Sequence, residues 1–147
     1  MSYAATLISP ALGATAATCK MTFAYTHLYP LGSKAVLSIN LYHRRLGFIP
    51  ITRKVLFTIT TPCNWQNYTV HIGQLPAGYQ IEIAGDSNLY TQLGPYIDMS
   101  IDNIKFVDCD PSVQLPGGNL TCDFENGMCG WTDLNLGSTN RIDWVRI

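Results

Sequence analysis

The chain has 147 residues, of which 47% are hydrophobic and 13% are charged, and its formal net charge at pH 7 is −1. This composition is typical of a packed globular protein and excludes a disordered chain. The near-neutral charge argues against nucleic acid or an anionic membrane surface as the main partner. No stretch approaches the roughly 18 consecutive apolar residues of a membrane-spanning helix, so we predict no membrane span in this sequence.

A period of two runs through most of the chain. Hydrophobic and polar side chains alternate in five segments, Cys19–Tyr25, Leu37–Leu41, Val55–Ile59, Tyr68–Ile72 and Tyr79–Ile83. Such alternation predicts strands that bury one face. Gly, Pro and Asn separate these segments, and no segment has a clear helical period. The sequence therefore predicts an all-β fold of the β-sandwich or jelly-roll type.

The last strand of this series changes phase. Its apolar residues occupy odd positions up to Ile101, whereas Ile104 and Phe106 occupy even positions. One extra residue near Asp102 and Asn103 would return both sets to the same face of the sheet. We therefore predict a β-bulge at this point.

The five cysteines suggest two disulfides. Cys122 and Cys129 lie seven positions apart around an Asn-Gly pair, a spacing that predicts a small disulfide-closed turn. Cys19 begins one predicted strand and Cys109 ends the last, so a bridge between them would close a loop of about 90 residues. Cys63 is left over, and two alternatives stay open for it, a buried free thiol or an intermolecular bridge.

Two sequons for N-glycosylation are present, Asn67-Tyr-Thr and Asn119-Leu-Thr. The asparagine of each is a predicted glycan acceptor in a secreted protein. Sequons and paired cysteines both belong to the secretory route, which provides an oxidising compartment. We therefore expect the chain to be extracellular.

The C-terminal stretch carries the most specific motif. The sequence Cys122-Asp-Phe-Glu, followed by Cys129-Gly-Trp and a polar run that ends in Asp143-Trp144, resembles the first strands of a MAM domain, an extracellular module. Earlier segments resemble later strands of the same family, namely Tyr3–Pro10, Cys19–Tyr25 and Ile101–Cys109. The resemblance extends over nearly the whole chain, in the reverse order of a single domain.

This resemblance implies an incomplete jelly-roll β-sandwich. Residues 1–109 would be the C-terminal portion of one MAM-like domain, 110–121 a linker rich in proline and glycine, and 122–147 the start of a second domain. It also supports both disulfide pairings. A further hypothesis is that 122–147 folds back and replaces the missing first strand of the first block.

The function implied by the resemblance is non-catalytic adhesion or protein interaction, in the ectodomain of a membrane-anchored glycoprotein with tandem MAM domains. The expected partner is a protein, in some members of the family a second copy of the same chain. An accessory domain of a membrane protease or phosphatase is an alternative, since MAM domains accompany both. A second alternative is a carbohydrate-binding module in which four tyrosines stack on sugars, Tyr29, Tyr42, Tyr90 and Tyr96.

The chain offers little for catalysis or metal binding. No nucleophile elbow or zinc-protease motif occurs, and His27, His43 and His71 lack partners at metal-ligand spacing, so we predict no enzymatic activity. Related jelly-roll sandwiches hold a structural cation of calcium type between acids on the first and last strands. By this resemblance Glu125 and Asp102 would be two half-sites, and no other cofactor is expected.

Overall fold

The computed structural model describes residues 3–28, 35–45, 49–60, 63–87, 98–109 and 122–133. Eight strands and no helix lie within these ranges. The strands are β1 (Tyr3–Ile8), β2 (Lys20–Leu28), β3 (Ala35–Arg45), β4 (Ile49–Ile59), β5 (Cys63–His71), β6 (Tyr79–Ser87), β7 (Asp98–Val107) and β8 (Thr132–Asp133). The prediction of an all-β fold is confirmed.

The strands form two antiparallel sheets. One has five strands in the order β4-β3-β6-β1-β8, and the other has three in the order β5-β2-β7. Buried side chains of both sheets belong to a single hydrophobic cluster, so the molecule is a β-sandwich. The finer prediction of a jelly roll stays a prediction.

The core lies on the strand faces that the alternation predicted to be buried. On β2, Met21, Phe23 and Tyr25 are buried, while the intervening residues face outward at intermediate exposure. Ile81 and Ile83 of β6 meet them from the opposite sheet within the same cluster. Full burial of each such side chain contributes about 1.5–3 kcal/mol, which makes this layer the main source of stability.

The predicted bulge is confirmed in β7. Thr22 pairs with Lys105 and Ala24 pairs with Asp102, so β7 has one more residue than β2 between these two pairs. Asn103 takes the left-handed conformation, with φ of 51°. The bulge returns Ile104 to the core, where it is fully buried.

A disulfide between Cys19 and Cys109 joins the start of β2 to the residues that follow β7. Main-chain hydrogen bonds reinforce this junction, because the Ala16 amide donates to the Cys109 carbonyl at 3.1 Å and the Ile72 amide donates to the Cys19 carbonyl at 2.9 Å. The disulfide therefore holds the start of β2 and the end of β7 at one place. This is one of the two pairings that the sequence suggested.

Candidate functional site

The residues with the most specific sequence motif form a compact turn, residues 122–133, which we call the C-terminal arm. A disulfide joins Cys122 to Cys129, the second suggested pairing. Inside the turn, the Glu125 amide donates to Asp123 Oδ1 at 3.0 Å. The Trp131 amide donates to the Met128 carbonyl at 2.9 Å. These local bonds replace the ladder of a regular strand.

The two ends of the arm contact different sheets. Cys122 and Ile104 exchange both main-chain hydrogen bonds, at 2.9 and 2.8 Å, which adds Cys122 to the outer edge of β7. At the other end, β8 pairs with β1 through Leu7 with Asp133 and Ile8 with Thr132. The arm therefore bridges the three-stranded and five-stranded sheets along one side of the sandwich.

The β-bulge prepares β7 for this contact. Ile104 has no register partner on β2, since the pairing passes from Lys105 to Asp102 across the bulge. The amide and carbonyl of a strand residue in an antiparallel pair point to the same side. Ile104 directs both toward Cys122 while its side chain lies in the core.

Trp131 anchors the arm. Its side chain is only 2% exposed and belongs to the core cluster, with Phe124 and Met128 packed partly against that cluster. Gly130, with φ of 84°, brings the chain close to Pro10, whose Cγ would lie 3.0 Å from an added Cβ. The described part of the C-terminal segment thus packs onto the first block, as the fold-back hypothesis expects. Residues 134–147 lie outside the described residues.

Asp102 and Glu125, the two predicted half-sites for a cation, lie in different elements, and the cation site stays a prediction. Asp102 lies beside the bulge, where its Oδ1 accepts a hydrogen bond from the Asn103 amide at 2.8 Å. Glu125 lies in the arm with an exposed side chain. Across the described ranges, no three His, Cys, Asp or Glu side chains form a group that could hold a metal ion.

The three histidines occupy different environments. His27 is fully buried with its ring edge-on to Tyr25 at 5.8 Å, and burial lowers the pKa of its imidazole because the charged form is desolvated. The ring of His43 lies 4.4 Å from that of Tyr79. His71 is exposed at the end of β5.

The outward face of the three-stranded sheet is polar. Asn67 and Thr69 of β5 lie opposite Ala24 and Thr22 of β2. An open cleft of about 430 Å³ lies here, and Phe23 and Tyr68 belong to its lining. The other lining residues are polar, and we call them the polar face: Thr22, Asn67, Thr69, Asn103 and Lys105. The acceptor asparagine and the threonine of its sequon are both exposed. Asn119 lies outside the described residues.

The structure describes only some of the other residues that the sequence analysis named. The backbone of Cys63 pairs with His27 at the start of β5, and the state of its thiol stays a prediction. Tyr42 is only 5% exposed, which leaves little of its ring for stacking on a sugar. Tyr29, Tyr90 and Tyr96 lie outside the described residues. The described part of the chain has no helix that could cross a membrane.

Sequence reasoning missed two features. Trp65 of β5 is 56% exposed, although tryptophan usually lies in the core. Asn40 and Glu82 are buried opposite each other on β3 and β6, and the Asn40 amide nitrogen donates to Glu82 Oε1 at 2.9 Å. Asn40 alternates with the apolar residues of its strand, a pattern that predicted only that its side chain faces outward.

No protein-family model matches this chain, and no curated protein matches it either.

Proposed function

We propose that this chain is a non-catalytic extracellular module that binds a protein partner, within the ectodomain of a membrane-anchored glycoprotein. The observation that carries the proposal is the pair of disulfides, one at the junction of the strand ends and one in the arm. Disulfides form and persist in oxidising compartments, which include the extracellular space. The MAM resemblance supplies the adhesive role and the tandem arrangement.

The proposed mechanism is recognition by shape. Two disulfides and one continuous core hold the sheets rigid, so little conformational entropy is lost when a partner docks. A second copy of the chain is the first partner to test, since homophilic binding is what the resemblance favours. The outermost described strand of the five-stranded sheet, β4, carries Val55 with 58% of its surface exposed, and such edges are common partner surfaces.

Bead clustering tests this proposal. Oxidised, secreted protein would be coupled to beads of two colours, and we expect mixed clusters that soluble protein disperses. The variant Cys19→Ser with Cys109→Ser lacks the long disulfide, and it should form fewer clusters because its sheets are held less rigidly. If beads stay dispersed and the soluble protein also shows no saturable, protease-sensitive binding to cells, the proposal is wrong.

Carbohydrate binding is the second candidate function, because an exposed tryptophan precedes a polar cleft on β5. Sugar sites combine an aromatic plane with polar side chains that reach the hydroxyl groups. A glycan array probed with the Asn67→Gln variant separates this candidate from the first. Saturable binding that is lost on Trp65→Ala would favour it over protein recognition.

A further inference from the structure

We infer that the polar face of the three-stranded sheet holds the chain's own glycan, linked to Asn67, with its first sugar stacked on Trp65. This inference deepens the proposed function and rests on its extracellular setting. It assigns the face to a covalent N-acetylglucosamine in place of a diffusing ligand. Trp65 would then be a positioning residue for the glycan.

Asn67, the glycan acceptor, lies on the outward face of β5. Asn67 and Thr69 are two positions apart in β5, so their side chains project from the same face of the strand. Both are exposed, and β5 ends the order of the three-stranded sheet. A glycan on the Asn67 amide nitrogen would therefore leave the core undisturbed. The Thr69 hydroxyl occupies the position that defines the sequon.

Trp65 lies two residues before the acceptor. Gln66 pairs with Tyr25, a residue that points into the core, so Asn67 lies on the outward side, and alternation along β5 predicts the same side for Trp65. The register of β5 shifts between Gln66 and Cys63, and such irregularities re-aim neighbouring side chains. With 56% of its surface exposed, the indole presents an apolar plane to solvent two residues before the acceptor.

The chemistry of the two groups is complementary. One face of N-acetylglucosamine carries only C–H bonds, which pack against an aromatic ring and remove apolar surface from water. The remaining groups of the sugar are hydroxyls and an acetamide. Across the sheet, Thr22, Asn103 and Lys105 supply a hydroxyl, an amide and an ammonium to the same cleft.

The cleft also has a suitable size. It is open to solvent and has a volume of about 430 Å³, which leaves room on this face for the first sugars of a glycan. A glycan held there covers the three-stranded sheet. Partner binding would then be directed to other surfaces, including the β4 edge.

A double-mutant cycle tests the inference. The full chain, secreted from mammalian cells, would be compared with Trp65→Ala, Asn67→Gln and the combination, with each glycan trimmed to its first N-acetylglucosamine. We expect the glycan to lower the unfolding equilibrium constant about three- to tenfold when Trp65 is present, the range of an aromatic pair. This gain should disappear in Trp65→Ala and persist in Trp65→Phe. Val107→Ala, at an exposed apolar residue of β7, is the matched control and should leave the gain intact.

An NMR measurement gives an independent readout. The acetamide methyl or ring protons of the trimmed sugar should shift upfield under the indole ring, and the shift should vanish in Trp65→Ala. Absence of both the shift and the coupling overturns the stacking inference.

Glycopeptide mass spectrometry separates this inference from the proposed function. Occupancy at Asn119 with an unmodified Asn67 would overturn the inference alone, because the chain would still have passed through the secretory route. Lack of glycan at both sequons would overturn the inference and remove support for the extracellular proposal. Occupancy at Asn67 with the expected coupling supports both.

Discussion

The strand block, residues 3–109, and the C-terminal arm are stabilised in different ways. In the block, the pairing of β3 with β6 runs without interruption from Ala35 opposite Ser87 to His43 opposite Tyr79. The arm pairs with β1 only through the residues of β8 and with β7 only through Cys122. Its attachment depends instead on one buried tryptophan and one short disulfide.

This difference shows how a segment with little regular structure completes a sandwich. A long ladder distributes its stability over many residues, so the loss of one side chain lowers that stability only slightly. A few large anchors concentrate stability, so loss of one should release the whole arm. The following variants test this contrast, from the largest expected effect to the smallest.

Removal of the long disulfide should have the largest effect. For Cys19→Ser with Cys109→Ser, we expect a loss of about 4–5 kcal/mol in unfolding free energy, because a bridge across about 90 residues restricts the unfolded chain strongly. Denaturant titration under non-reducing conditions measures it. A loss no greater than that of the arm disulfide would contradict the assignment of the long bridge as the main clasp of the block.

Trp131→Ala should detach the arm. Truncation of a buried tryptophan costs about 3–5 kcal/mol, and we expect the lower end because the arm can leave as a unit. Hydrogen exchange should accelerate at the amides of Ile104 and Cys122, each of which donates to the carbonyl of the other residue. Trp131→Phe is the matched control and should preserve most of the protection. Unchanged exchange in Trp131→Ala would show that the tryptophan is not the anchor.

Loss of the short disulfide should matter less. For Cys122→Ser with Cys129→Ser, the small loop predicts a loss of about 2–3 kcal/mol. Exchange should increase at arm amides and remain slow in β2, because the core strands do not depend on this bridge. Equal acceleration in both regions would mean that arm and block unfold together.

The contact between Gly130 and Pro10 can be isolated with two glycine variants. Gly130→Ala places a Cβ 3.0 Å from Pro10 Cγ, whereas Gly73→Ala meets nothing within 4 Å, and both glycines have positive φ. We expect each to cost about 1–2 kcal/mol for the left-handed backbone. Gly130→Ala should cost more because of the added crowding. Equal losses in thermal or chemical unfolding would remove Pro10 from the docking contact.

Acidification should destabilise the block through His27, and this loss of unfolding free energy should be the smallest of the series. Burial lowers the pKa of this imidazole in the folded chain, so below its unfolded value of about 6.5 the unfolded form takes up the proton first. Stability should therefore fall as the pH drops below about 6.5. His27→Leu should flatten this part of the pH profile, and His71→Gln, at an exposed site, should not. A profile unchanged by His27→Leu contradicts the assignment.

The sequence predicted part of this architecture from local patterns. Alternation located the buried face of β2, and the phase change of Ile104 and Phe106 located the bulge, because side-chain direction in a strand depends on position alone. It did not reveal that Trp65 is exposed. The apolar side chain of tryptophan favours burial, and its actual exposure depends on which strands cover it. The role of Ile104 as the backbone partner of Cys122 was also missed, since hydrogen bonds between distant segments leave no local signal.

What the sequence determined by itself is the alternating pattern of six strands, the short cysteine pair and the sequons, because periodicity and spacing are properties of neighbouring residues. The order of the strands in two sheets and the docking of the arm were decided only in the folded chain. These features depend on contacts between residues far apart in sequence, such as Leu7 with Asp133. Several arrangements satisfy the same local pattern, and only the folded chain shows that Trp131 is buried in the common core.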